Sequence, residues 1–276
     1  EVEPMPLATK PDLQWQVLCR ALAFGSQAVR LWDRCSLLEQ LLPELTNCRT
    51  LLPRDSTHLY SVFEHSIRTL ECLEASLESG GFCQELATAV ESPVALSLAC
   101  LLHDVGKADL SRPHSETGAE LAQQILLRWQ ADQRTTEDVV WLVAHHLDLA
   151  HLIRTRDPHD PKTIQEFASL VGTRDRLAML ALLTRADILA VHPSLWTNLQ
   201  ESLLREVVAR TMAQLDGEGV MALDPALRRQ QVLKGIQSTV LDPAEVEAFL
   251  ASLPAHYLLT ATPEQVKEHL IFAQSV

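Results

Sequence analysis

The sequence predicts an all-α fold, and three observations carry that prediction. Leu and Ala recur along the whole chain while β-branched runs are scarce, only 9 of 276 residues are Gly, and prolines and helix-capping residues cut the chain into helix-length segments. No low-complexity linker or internal repeat interrupts them. At 47% hydrophobic residues the chain buries a sizeable core, which excludes a disordered or fibrous protein.

The first segment, to about Pro53, holds short amphipathic stretches, Leu13 to Phe24 and Leu37 to Leu42, read as entry helices. A longer pattern runs from His58 to Leu77, with His58 as a cap or packing residue. Ser92-Pro93 opens the most apolar segment, Val94 to Leu102, which is hydrophobic all round and so predicts a central buried helix. Ser115 to Gln130, Thr136 to His146, Pro161 to Val171 and Asp175 to Val191 follow as helices. Thr135-Thr136-Glu137-Asp138 reads as an N-terminal cap. Beyond Pro193 come Leu195 to Leu215, Pro225 to Ser238, Pro243 to Leu253 and Pro263 to Phe272. Trp129, Trp141 and Trp196 stand among Leu and Val and read as packing residues.

The net charge of −13, from 36 acidic and 23 basic residues, argues against a long phosphate-backbone contact surface, so no nucleic-acid partner is expected. The six cysteines form no Cys-x-x-Cys pair and several sit in apolar runs, which reads as buried reduced thiols in a cytoplasmic protein. No apolar stretch is long enough to span a bilayer, and the first ten residues lack a signal pattern. Residue 1 is Glu and the chain stops inside a helix-like run, so it reads as a piece of a longer protein.

The chemistry lies where histidines and aspartates interrupt these apolar helices. Asp187 sits in Leu182-Leu183-Thr184-Arg185-Ala186-Asp187-Ile188-Leu189, where a core-facing carboxylate is costly unless a bound cation or Arg185 compensates it. His103-Asp104 ends the Val94 to Leu102 run, and His145-His146 ends Val139 to Ala144. His65 and His114 add two more imidazoles. Nitrogen and carboxylate donors without thiolate suit Mn, Fe, Zn or, less well, Mg, in a hydrolytic or redox-active site. One divalent ion would use His65, His103, Asp104 and Asp187; a second, bridged by Asp104, would use His114 and His146, with His145 a neighbour. Such ions lower the pKa of bound water and polarise a phosphoryl oxygen, so phosphate-ester hydrolysis is the natural chemistry, with Asp104 at its centre. Lys107, three residues after Asp104, and Arg68, one turn after His65, are candidates to meet a substrate phosphate. His151, His159, His192, His256 and His269 read as solvated.

His65, His103-Asp104 and Asp187 resemble the signature of the HD superfamily of metal-dependent phosphohydrolases. The stretch from about Leu41 onward is similar to the HD domain of bacterial bifunctional PII-protein uridylyltransferase/uridylyl-removing enzymes. The residues that carry this are His58-Leu59-Tyr60-Ser61-Val62-Phe63-Glu64-His65, Leu101-Leu102-His103-Asp104-Val105-Gly106-Lys107, His114-Ser115-Glu116-Thr117-Gly118-Ala119 and Trp141-Leu142-Val143-Ala144-His145-His146-Leu147. More distinctive are Arg156-Asp157-Pro158-His159-Asp160-Pro161-Lys162-Thr163-Ile164, Leu183-Thr184-Arg185-Ala186-Asp187-Ile188 and Leu253-Pro254-Ala255-His256-Tyr257-Leu258-Leu259. The resemblance implies an HD-domain helical bundle over 54–192, flanked by helical segments 1–53 and 193–276. It implies removal of UMP from a uridylylated PII signalling protein, by hydrolysis of a phosphodiester. Phe63 stands where the family has Asp, and Leu110-Ser111-Arg112-Pro113 replaces its Gly-rich approach to the third histidine. Gly25-Ser26 is followed only by Asp33-Arg34-Cys35, not by the Asp-x-Asp of a nucleotidyltransferase, and glutamine-sensing repeats are not seen. Leu147-Asp148-Leu149-Ala150 after the paired histidines differs from the Gly-Tyr-Pro of cyclic di-GMP specialists. A hydrolase of other phosphodiesters and a non-catalytic helical regulator are the two alternatives.

Overall fold

A computed structural model describes residues 11–52 and 59–217, and, in the C-terminal part, 230, 233–234, 236, 243–253 and 263–274. It is all-helical, with no strand among the described residues. His58, most of Pro225 to Ser238, and His256 with the stretch after Leu253 lie outside them. The backbone groups into two units, 1–156 with 171–208, and 157–170 with 209–276.

The first unit is built on two helices that are buried on most sides. Helix α6 (Pro93–Leu102) buries seven residues, among them Leu98, Cys100 and Leu102. Ser92 Oγ accepts the Ala95 N–H and Pro93 pre-sets the first turn, as the sequence predicts. Helix α11 (Arg174–Val191) starts at Thr173, whose hydroxyl accepts the Arg176 N–H, and is buried on most sides. Each is buried on several faces because α4 (Val62–Glu78) and α8 (Gln133–His145) pack against both, and α7 (His114–Arg128) packs on α8. Helix α4 begins at Val62, later than expected, because Ser61 caps it by accepting the Glu64 N–H. The cap of α8 is also corrected. Asp132, not Thr135 or Thr136, accepts the Thr135 N–H at 2.9 Å, so the helix gains most of a turn at its start.

The entry helices are α1 (Pro11–Leu22), α2 (Ser26–Arg34) and α3 (Leu38–Leu41), of which α2 is not among the expected segments. It has no capping side chain of its own. Gly25 turns the chain at φ 70°, and the Glu74 carboxylate, reaching over from α4, accepts from Ser26 N at 2.6 Å and from Ser26 Oγ at 2.5 Å. That borrowed cap is of the kind that contributes about 1 kcal/mol. Two further short helices escape the sequence pattern, α5 (Phe82–Ala87) and α9 (Asp148–Thr155). Trp129 is fully buried and stacks on Trp15, with ring centroids 6.4 Å apart. Trp141 lies against Arg176 and His145, whereas Trp196 is a half-exposed cleft residue rather than a packing one. All six cysteines are unbridged; Cys48, Cys83 and Cys100 are buried as expected, but Cys35 is exposed.

A 3-10 turn (Pro193–Leu195) leads into α12 (Asn198–Leu215), which begins three residues after the expected Leu195. In the second unit α10 (Pro161–Val171) follows Asp160, and α13 (Pro243–Ser252) and α14 (Pro263–Gln274) share a small core of Ile236, Val246, Leu250, Val266 and Leu270.

Candidate metal centre

Four helix ends meet in the first unit. His65 comes from the first turn of α4, His103 and Asp104 from the C-terminal end of α6, His146 from the end of α8, and Asp187 from the last turns of α11. His114 opens α7, which is drawn close because the 3-10 turn Val105–Ala108 packs under it. That approach requires Gly106. A Cβ there would overlap the His114 carbonyl oxygen and come within 2.5 Å of Gly118 N.

Two groups of ligand atoms result, His65, His103 and Asp187, and Asp104, His114 and His146. In the first, His65 Nε2 lies 2.9 Å from Asp187 Oδ1 and 3.2 Å from His103 Nε2, which is 3.5 Å from Asp187 Oδ1. In the second, His114 Nε2 lies 3.3 Å from His146 Nε2 and 3.5 Å from Asp104 Oδ1, and His146 Nε2 is 3.7 Å from that oxygen. Asp104 joins them. Its other oxygen, Oδ2, is 3.4 Å from His103 Nε2 and 3.6 Å from His65 Nε2.

The donor set fits divalent ions. Ligand atoms about 2.0–2.2 Å from one ion stand roughly 3.0–3.6 Å from their neighbours, close to the spacings in both groups. The tautomers fit as well. His103 Nδ1 donates to the Cys100 carbonyl at 3.0 Å and His146 Nδ1 to the Val143 carbonyl at 2.8 Å, which leaves each Nε2 lone pair for a ligand. Charge is arranged in the same sense. Burial raises the Asp104 and Asp187 carboxyls, but His103 more than offsets it and holds both well below the usual range, in the ionised form that binds metal. Burial opposes charge on His103, yet Asp104 and Asp187 lift it to about 10, so a divalent ion bound there would displace a proton from Nε2. Burial, reinforced by His103, pushes His146 down to about 4, and burial also lowers His114.

Several sequence candidates stand elsewhere. His145 points away, its Nδ1 2.7 Å from Asp148 Oδ2 and its ring against Trp141. Adjacent helical residues project about 100° apart, so only one of the pair can face the cluster. Arg68 lies over the Tyr60 ring, 4.2 Å from its centroid, and does not line the cleft beside the ligand groups. Lys107 does line it, with Nζ 2.6 Å from Asp104 Oδ2. Arg185 does not compensate Asp187. It bonds to Glu201 and Ser76 instead, because residues two apart on a helix point to different sides. Phe63 is buried under the Arg49 guanidinium. The cleft, about 290 Å³, also brings in Arg154 and Gln200, which the sequence reading missed. The signal for Gln200 is the capping box Thr197-Asn198-Leu199-Gln200.

Residues 62–191 match the HD domain family, and the paired ligand groups fall inside that span. The chain carries an HD domain. HD domains bind divalent metals, and this one is of the metal-dependent phosphohydrolase class. The chain is 34% identical over 266 residues to a bifunctional uridylyltransferase/uridylyl-removing enzyme of Gluconobacter oxydans, covering 91% of this chain and 28% of the relative. Proteins of the same description from Rhodospirillum rubrum and Ruegeria pomeroyi are 38% identical over 186 residues and 33% identical over 258. These cover 65% and 90% of this chain, and 20% and 28% of the relatives. The chain therefore spans less than a third of the length of these relatives. Among the described residues no helix is long and apolar enough to cross a membrane.

Proposed function

We propose that this HD domain hydrolyses the phosphodiester that links UMP to a tyrosine of a PII-type signalling protein. The observation that carries the reading is Asp104, whose two oxygens face the two ligand groups. Its support is the likeness to relatives described as uridylyl-removing. In this reading His65, His103, Asp104 and Asp187 hold one divalent ion, Mn, Fe, Zn or Mg, and Asp104 with His114 and His146 holds a second. A bound divalent ion activates water near neutral pH and polarises the phosphoryl oxygen under attack.

The protein's own groups do the rest. Asp104 and Asp187 keep their negative charge beside the imidazoles, and the carbonyls of Cys100 and Val143 fix the ring orientations of His103 and His146. Lys107, held by Asp104 at the cleft wall, is placed to donate to a phosphate oxygen. Water adds to phosphorus, the bond to the tyrosine oxygen breaks, and the proton released by water ends on that oxygen, giving UMP and free tyrosine.

The test is UMP release from uridylylated PII by the metal-stripped chain, before and after adding Mn²⁺. Release that requires Mn²⁺ is expected. Turnover of bis(p-nitrophenyl) phosphate without any UMP release would overturn the substrate.

A further inference from the structure

The cleft continues past the ligand groups along the end of α11. Val191 lies one turn beyond Asp187, about 6 Å along the axis, and the wall goes on through Ile188, Leu195 and Trp196 to Gln200. A site that only hydrolysed a phosphodiester would not need this apolar extension. Two features give it a defined chemistry.

The first is a fixed indole. Trp196 Nε1 donates to Glu201 Oε2 at 2.8 Å, and the Arg185 guanidinium sits 5.8 Å from the ring centroid. Arg185 itself donates to Glu201 at 3.1 Å and to Ser76 Oγ at 2.5 Å. Groups from α4, α11 and α12 therefore hold one aromatic plane in the cleft wall, which lowers the ordering cost of stacking a ligand on it.

The second is an oriented amide. Gln200 Oε1 accepts the Thr197 N–H at 2.8 Å and the Thr197 hydroxyl at 3.1 Å, while Thr197 Oγ1 accepts the Gln200 N–H. A backbone N–H can only donate, so the amide oxygen must face it. The end left for a ligand is Nε2, a donor without acceptor capacity.

We infer that this extension is a nucleobase subsite, in which Trp196 stacks the base and Gln200 Nε2 donates to a ring carbonyl, so that uracil is chosen over cytosine. Uracil presents an acceptor at C4; cytosine presents an amino group there, which would meet Gln200 donor to donor. The inference rests on the nucleotidyl reading above and assigns the part of the protein that distinguishes one pyrimidine from the other.

The experiment is calorimetric titration of the Mn²⁺-loaded chain with UMP, CMP and inorganic phosphate. UMP should bind about tenfold tighter than CMP, and both tighter than phosphate. Gln200→Glu keeps an oxygen for the Thr197 cap but replaces the donor with an acceptor. It should weaken UMP and turn the preference towards CMP, which a merely structural role for Gln200 would not do. Trp196→Ala should weaken UMP and CMP together by roughly tenfold or more while Mn²⁺ binding stays the same. Equal binding of UMP and CMP to the unaltered chain, or an unchanged ratio in Gln200→Glu, would overturn the subsite. A preserved uracil preference in a chain that fails to release UMP from PII would support the subsite and count against the proposed protein substrate.

Discussion

Asp104→Asn removes hydrolysis by about 10³-fold or more in kcat while leaving the helical content unchanged. Loss of a single oxyanion donor commonly costs about 10²–10³-fold, and Asp104 is shared by both ligand groups, so its loss exceeds that. The side chain is buried, and Asn fills the same volume, so packing survives. What is lost is negative charge between four imidazoles and Lys107. Metal affinity falls with it, by more than the 10–100-fold typical of groups that only support a ligand. Metal binding followed by calorimetry and kcat on bis(p-nitrophenyl) phosphate check both halves. A variant with native turnover would contradict the bridging position of Asp104.

Gly106→Ala is expected to be the most damaging small substitution. The added methyl would meet backbone, the His114 carbonyl and Gly118 N, rather than a side chain that could swing aside. Separating α7 from the 3-10 turn costs about 3 kcal/mol, at the upper end for overpacking, which lowers the melting temperature by roughly 5–10 °C. It also displaces His114 from Asp104 and His146, so activity drops further than stability alone explains. Gly172→Ala is the comparison. Gly172, unlike Gly106, has positive φ, 74°, and nothing lies within 4 Å of its added Cβ, so it shows conformational strain alone, about 1–2 kcal/mol. Thermal melts of the two variants side by side, with kcat for each, separate close backbone contact from strain; equal melting temperatures would remove the reason given for Gly106.

The sequence shows where polar groups interrupt apolar helices, and that is enough to reach the residues that the structure brings into the two groups. Val94 to Leu102 is apolar all round and Asp187 sits among apolar neighbours in Leu182 to Ala190, so His103, Asp104 and Asp187 ask for something that compensates them. Which of two neighbours does so is a matter of helical phase. His146 rather than His145 reaches the cluster, and Arg185 leaves Asp187 for Glu201, because one or two residues of separation rotate a side chain to another face. Segments stabilised from far away were not legible. Helix α2 takes its cap from Glu74, 48 residues on, and α9 is only eight residues long, starting just after the histidine pair that reads as a helix end. Trp196 follows the same logic. Its spacing among apolar residues says packing, and only Glu201 and Arg185, brought in by tertiary structure, make it a wall of the cleft.

The central claim is that the His and Asp groups work by holding divalent metal. Its most direct test strips the chain with a chelator, titrates Mn²⁺ back, and follows bound metal and bis(p-nitrophenyl) phosphate hydrolysis in the same samples. No turnover in the stripped chain, with activity rising in step with one or two bound ions per chain, is the predicted result. Turnover that survives the chelator, or stoichiometric metal binding with no hydrolysis at any ion tried, would contradict it.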